Sequence, residues 1–397
     1  MGSDIIVTKY NGKRLTIILE ESHIRQIHAE SPGEEGILGN VYVGRVRNIV
    51  KNINAVFVEY RKGQMGYLPL DNEKSVMHTC GKNYTEGRIL IGDEIIVQVQ
   101  KEAIKTKLPT LSGIIDIPGK YAVLVSEKRR LSISAKIAEK DKRERLHDLL
   151  EKYITDEYGF IARTNSADAD LDVLSGEIDM LVKKYRNIVD FGKHKDAFSC
   201  LHAAPAGYIA DILNVKDSML ERIITDDKEV YDNIYNSFYE ISDLHDKLIL
   251  WDDSRGKLDV VFNIQKTLEH ALMPKVWLKS GAYIVIQPTE ALVSIDVNTG
   301  KAISKKKDVQ KTFLKVNLEA AKEIAHQIRL RNLSGIILID FIDMSEEKNS
   351  REVMDELKKE LAKDNVYAEV VDMTKLGLVE VTRKKVRKSL FEQVCGN

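Results

Sequence analysis

Cysteine is nearly absent from this chain. Cys80, Cys200 and Cys395 are scattered over 397 positions with no CxxC pair among them, so a disulfide framework is not expected and a reducing, cytoplasmic setting is the default. No apolar run is long enough to cross a bilayer, and the opening residues lack a charged-then-apolar leader, so neither a membrane span nor an export signal is expected. Net charge is missing too. Lys+Arg 60 against Asp+Glu 61 leaves −1, and any contact with a polyanion must therefore come from local patches. Internal repeats and low-complexity segments are also lacking. The chain does have the material for a core, 43% hydrophobic residues beside 30% charged, enough for two to three domains at roughly 150 residues each.

The first residues, Ile5 to Ile18, form β-rich runs on either side of Asn11-Gly12, a hairpin turn pair. After Ser31-Pro32-Gly33 the texture changes, and from about Gly36 to Gln100 short strands follow one another. They include Asn40–Val46, Ala55–Val58, Gly66–Pro69 and Glu94–Val99, a spacing that fits a small closed barrel of the oligonucleotide-binding type. Further on, Ala135–Tyr153 reads as a charged amphipathic helix and Phe160–Ala162 as a short strand. Leu171–Val189 and Val260–Leu272 have helical spacing.

From about Lys275 the pattern becomes more specific. Ala282–Ile286 and Ala291–Ile295 flank Gln287-Pro288-Thr289-Glu290 as a hairpin. A helix is expected from about Asp308 to Leu330, then a buried parallel strand, Gly335–Ile339. A strand at Val366–Val371 and a basic helix from about Leu378 are expected to close the chain.

Two strands joined by one long helix make a βαβ unit, whose crossover is right-handed in nearly all cases. Parallel strands finish on the same sheet edge, so Asp296 and Asp340 emerge side by side where open α/β sheets bind ligands. Two adjacent carboxylates repel unless a cation lies between them. Magnesium suits such a pair, completing its shell with water and substrate phosphate. Asn298, two positions on, falls on the same strand face and is suited to orient Asp296. Asp343 is a weaker candidate beyond the strand end. On periodicity and topology alone, strand-end aspartates serve equally well as turn-starting residues.

The local sequence adds a resemblance. Ser294-Ile295-Asp296-Val297-Asn298-Thr299-Gly300-Lys301, Asn317-Leu318-Glu319-Ala320-Ala321, Ile324–Leu333 and Gly335-Ile336-Ile337-Leu338-Ile339-Asp340-Phe341-Ile342-Asp343-Met344 closely resemble the catalytic segment of the ribonuclease E/G family. Gly39–Val46, Ala55–Val58 and Gly66–Leu70 look like that family's S1-type barrel. The resemblance covers essentially the whole chain. It implies a multi-subdomain α+β fold, with an RNase H-like subdomain at 1–35 and about 205–274. Into this would be inserted an S1-type OB barrel at 36–112. A 5′-sensor subdomain at 113–204 and a DNase I-like α/β catalytic subdomain at 275–397 complete the arrangement.

The implied activity is magnesium-dependent endonucleolytic hydrolysis of single-stranded, A/U-rich RNA, with manganese as a substitute metal and 5′-monophosphate sensing. Asp296 and Asp340 match the family's metal-binding aspartates, and Asn298 the asparagine that positions the first. Phe57 and Tyr67 match aromatics presented to RNA, and Lys107 a basic position suited to phosphate. Without the resemblance, the two aromatics read equally well as barrel core, and Lys107 as a solvated lysine. Arg383, opening the run Arg383-Lys384-Lys385-Val386-Arg387-Lys388, matches an arginine linked to substrate binding. Gly119, Val123, Arg163 and Thr164 match a 5′-phosphate pocket. Where some relatives have paired arginines after a serine, this chain reads Ser134-Ala135-Lys136, which weakens the expected grip on the 5′ end.

Relatives continue past the stretch like Ser389–Cys395 with a CPxC motif that shares zinc between subunits in dimers or tetramers. Here the sequence ends Cys395-Gly396-Asn397. One cysteine cannot supply four ligands, so zinc is not expected and a monomer is compatible with the sequence. Two other classes fit less well. A non-catalytic RNA-binding protein would not need Asp296, Asn298 and Asp340 together, and a DNA nuclease is suggested only by fold analogy.

Overall fold

The computed structural model describes residues 2–31, 36–70, 76–79, 88–103, 107–216, 219–238, 242–301 and 309–396. Pro32, Gly33, Cys80 and Asp308, which entered the expectations above, lie outside the described residues. The chain forms two compact units, one of residues 1–34 with 218–397 and one of residues 35–217. Both mix helices and strands. Among the described residues, no helix is long and apolar enough to cross a membrane.

In the first unit, strands Ser3–Tyr10 and Lys13–Glu20 pair as the expected hairpin. Asn11 and Gly12 both take positive φ, 47° and 75°, as a tight two-residue turn demands. His23–Glu30 extends the sheet on one side, and Leu220–Thr225 and Leu248–Leu250 add parallel strands on the other. Segments some two hundred positions apart thus share one core, with Ile6, Ile17, Ile27 and Ile224 packed against Leu258, Ile264 and Leu268. The helix expected over Val260–Leu272 is two helices, Leu258–Val261 and Ile264–Leu272. Asn263 breaks it with a left-handed φ of 53°.

The same unit contains a six-stranded sheet. Its strand order is Lys275–Trp277, Tyr283–Pro288, Leu292–Asn298, Gly335–Asp340, Val379–Arg383 and Ala368–Met373. Alternation along the strands places Ile284, Ile286, Val293, Ile295, Val297, Ile337 and Ile339 on one face. Helices Val309–Leu330 and Glu347–Leu361 cover that face with Val316, Ala320, Ala321, Ile324, Ile328, Val353 and Leu357. The basic helix expected from Leu378 is instead the strand Val379–Arg383. Val379, Val381 and Arg383 point inward and Thr382 outward, and this period-two pattern wins over the helical propensity of the lysines beyond it. Glu347–Leu361 was not anticipated, because its apolar positions are few among many charges.

In the second unit, Val41–Val50, Ala55–Arg61, Gln64–Pro69, Thr110–Ser112 and Glu94–Lys101 pair in sequence, and the last returns to the first. This closed five-stranded barrel is consistent with the oligonucleotide-binding type, and Tyr42, Val56, Val58, Leu68, Ile95, Val97 and Leu111 fill it. A four-stranded sheet follows, ordered Asp116–Pro118, Ala122–Val125, Gly159–Ala162 and Leu131–Ile133. The helix Leu171–Gly192 packs on it through Leu174, Ile178, Leu181 and Tyr185. The helix expected from Ala135 begins at Lys140, since the preceding residues are used by the strand Leu131–Ile133 and a turn.

Candidate functional site

Asp296 and Asp340 are direct register partners in the parallel pair formed by Leu292–Asn298 and Gly335–Asp340. Their flanking residues Ile295, Val297 and Ile339 are buried in the core, while both carboxylates are exposed on the uncovered face. The sequence therefore folds locally so that apolar neighbours fix the strands and alternation presents the acids. Asn298 Nδ2 donates to Asp296 Oδ2 at 2.6 Å, holding one carboxylate oxygen in place. Partial burial, followed by the charges of Asp296 and Asp343, raises the Asp340 carboxyl above its ordinary range.

Among the described residues, no lysine or arginine forms an ion pair with either aspartate. Nor do three or more His, Cys, Asp or Glu side chains converge into a metal cage there. A divalent ion between Asp296 and Asp340 would have two protein carboxylates, and water and substrate oxygens elsewhere in its shell. This donor set fits magnesium.

The crossover helix also positions the site, which the sequence reading did not anticipate. Asn317 is fully buried; its Nδ2 donates to Ile342 O at 2.8 Å, and its Oδ1 accepts from Ile342 N at 3.1 Å. These two hydrogen bonds pin the backbone between Asp340 and Asp343. A lone asparagine on the apolar face of an otherwise amphipathic helix was the available signal. Further along, Arg329 donates to Glu20 at 3.1 and 2.5 Å, and His326 Nε2 lies 3.0 Å from Ile24 O. Arg331 donates to Gln327 Oε1 and Met273 O at 2.5 and 2.7 Å, and burial pushes its guanidinium down to about 10. Much of the signature on this helix thus fastens it to neighbouring elements.

Arg383, matched to substrate binding, is enclosed within its unit. It is 4% exposed, with Nε donating to Asp364 Oδ2 at 2.8 Å and Nη1 to Asn332 Oδ1 at 2.7 Å and Leu333 O at 3.0 Å. Strand alternation turns it inward with Val379 and Val381, so its charge is spent inside the unit and is not presented to a phosphate. Asn332 in turn donates to Lys388 O at 2.8 Å, tying the basic segment down.

In the barrel, Phe57 and Tyr67 face each other across adjacent strands, their ring centroids 6.4 Å apart at 68°. Both are half-buried, and neither belongs to the barrel core. Lys107 is exposed just before Pro109, whose carbonyl accepts from Tyr67 N at 2.8 Å.

The four residues matched to a 5′-phosphate pocket fall on adjoining segments. Arg163 Nη1 donates to Gly119 O at 2.5 Å and Nη2 to Asn214 Oδ1, while Thr164 Oγ1 lies 3.0 Å from Ser134 Oγ. Val123 pairs with Ile161 on the neighbouring strand. Burial lowers the Arg163 pKa, an effect opposed by the charge of Glu177. Sequence reasoning missed Glu177, an acid on the apolar face of its helix. It is 6% exposed and accepts from Lys120, Tyr121 and Ala122 N–H at 2.7, 2.8 and 2.9 Å. A Cβ on residue 119 would lie 2.5 Å from its Oε1, so the loop requires glycine. Burial raises the Glu177 pKa despite those hydrogen bonds.

A model of the Ribonuclease E/G family matches residues 116–386. Ribonuclease G of Haemophilus influenzae is 31% identical, over 97% of this chain and 80% of that protein. Ribonuclease G of Escherichia coli strain K12 is 30% identical over 100% of this chain and 82% of its own length. Ribonuclease E of Synechocystis is 30% identical over 89% of this chain and 53% of its own.

Proposed function

The chain belongs to the ribonuclease E/G family and is an endoribonuclease, and from that premise we propose that Asp296 and Asp340 are its catalytic, metal-holding carboxylates. The observation that carries the proposal is their direct register pairing on an open sheet face, with no neutralising cation among the described residues. A magnesium ion held there, or manganese in its place, would supply positive charge to the phosphodiester and acidify an attacking water.

The chain's own residues provide the positioning. Asn298 fixes one oxygen of Asp296, and Asn317 holds the turn that follows Asp340. The half-buried rings of Phe57 and Tyr67 are suited to stacking unpaired bases, and exposed Lys107 to a phosphate. Hydrolysis of single-stranded, A/U-rich RNA would leave a 5′-phosphate and a 3′-hydroxyl.

A 5′-monophosphate would be read by Arg163, Thr164, Gly119 and Val123, in competition with the bonds Arg163 already makes to Gly119 and Asn214. In family terms the segments are assigned as RNase H-like (1–35 with about 205–274), S1-type barrel (36–112), 5′ sensor (113–204) and DNase I-like (275–397). The setting is cytoplasmic RNA processing and decay.

The test is cleavage of a 5′-monophosphorylated A/U-rich RNA in magnesium. Asp296→Asn should lower the rate by roughly 100-fold or more, since a metal supplies several kcal/mol at about 1.4 kcal/mol per tenfold. Equal cleavage by variant and wild type would remove both aspartates from catalysis.

A further inference from the structure

One aromatic cluster lies outside everything assigned so far. Trp277 is 60% exposed, and its ring centroid is 5.2 Å from that of Tyr283 at 60°. The Lys275 ammonium lies 4.2 Å from the Trp277 centroid and 3.6 Å from the Tyr283 centroid. A large indole left in water beside a tyrosine and a lysine contributes nothing to the core.

Register relates the cluster to the aspartates. Trp277 pairs with Tyr283, and Tyr283 pairs with Asn298. One row along, Lys275 pairs with Val285, Val285 with Asp296, and Asp296 with Asp340. Directly paired residues share a sheet face. Lys275, Trp277 and Tyr283 therefore stand on the same open face as Asp296, Asn298 and Asp340. At about 4.8 Å per strand, the outer strand is roughly 10 Å from the aspartate strand.

The geometry points to Trp277 and Tyr283 as a stacking platform for an unpaired base of the RNA next to the scissile phosphate, with Lys275 serving that nucleotide's phosphate. This rests on the assignment of Asp296 and Asp340 to catalysis. Every base has a π-face, so such a platform binds single strands with little sequence preference. A duplex cannot offer a splayed base to it. The ammonium now lying against the rings marks the electron-rich faces available for stacking, and an arriving base would release it to the backbone.

Two readouts test the platform. The chain has two tryptophans; Trp251 donates to Gly256 O at 2.8 Å and packs on Phe262. A Trp251→Phe background therefore isolates the emission of Trp277. Titration with a single-stranded decaribonucleotide in EDTA, where no cleavage occurs, should quench it. In the same buffer Trp277→Ala should weaken binding by roughly 5- to 150-fold, the range for loss of one stacked base. Trp277→Phe should restore most of the affinity, and Lys275→Gln should lower the salt dependence by about one phosphate contact. Thermal melting of each variant checks that the fold is kept.

Absence of quenching, or unchanged affinity in Trp277→Ala, overturns the platform while leaving the Asp296→Asn result to stand or fall separately. Altered sedimentation of Trp277→Ala with unchanged RNA affinity would make the patch a contact between copies of this chain and would equally overturn it. If Asp296→Asn cleaves normally while Trp277→Ala loses affinity, the surface binds RNA but not beside the reacting phosphate, and the placement falls.

Discussion

Asp296 lies two residues before the end of its strand and Arg163 just past the end of its own, and each was matched to a binding role. Their surroundings differ in kind. Asp296 lies open beside Asp340, with Asn298 as its hydrogen-bonding neighbour. Arg163 is already bonded to Gly119 O and Asn214. A pair of like charges left facing one another is destabilised until a cation arrives, so its ligand can be named from the charges alone. A charge met by internal acceptors gives no such indication, because it stabilises the fold whether or not a ligand binds. Arg383 is the extreme case, fully enclosed with Asp364.

The largest expected effect separates structural from binding arginines. Arg383→Ala removes the guanidinium paired with the buried Asp364 carboxylate and should cost about 3–5 kcal/mol of stability, read as a lowered melting temperature. Unchanged stability with weakened RNA binding would return Arg383 to the substrate.

Next comes the 5′ end. If Arg163 releases its internal acceptors for a phosphate, 5′-monophosphorylated RNA should be cleaved faster than 5′-hydroxyl RNA. Arg163→Ala should reduce that preference about tenfold, the low end for a hydrogen bond to a charged group. A wild-type ratio of one would leave Arg163 with its structural bonds only.

The smallest effect concerns a misplaced acid in the same unit. Asp116 has a buried Oδ1 with no hydrogen-bond partner among the described residues, and burial, with the charge of Glu127, pushes its carboxyl up to about 6. A carboxyl raised on folding holds its proton longer in the native state, so stability falls as pH rises from about 4 to about 6. Above that window the full penalty applies. Asp116→Asn should therefore gain about 1 kcal/mol at pH 7.5, after allowance for solvent screening, and nothing near pH 4. The same gain at both pH values would show that ionisation is not the cause.

Legibility followed locality. The Asn11-Gly12 hairpin, the closed barrel and the βαβ unit rest on short-range turn chemistry and periodicity, and each was readable. Failures came where a neighbouring element decided the outcome. Val379–Arg383 runs into basic residues that favour a helix, yet it pairs with two strands as part of a sheet. Asn317 and Glu177 looked like interruptions of an apolar face, and only the loops packed against them reveal their use. Trp277 and Tyr283 carried no recognisable pattern, since they lie on different strands.

By itself, then, the sequence determined that two aspartates would emerge side by side on neighbouring parallel strands, because strand alternation and a right-handed crossover leave little freedom. The long family signature around them tied that geometry to RNA cleavage. Tertiary structure decided which charges remain open and which are consumed. Exposure and pairing depend on what folds back from distant positions, and no local pattern encodes the partner that Arg383 finds in Asp364 or the face that Trp277 shares with Asp296.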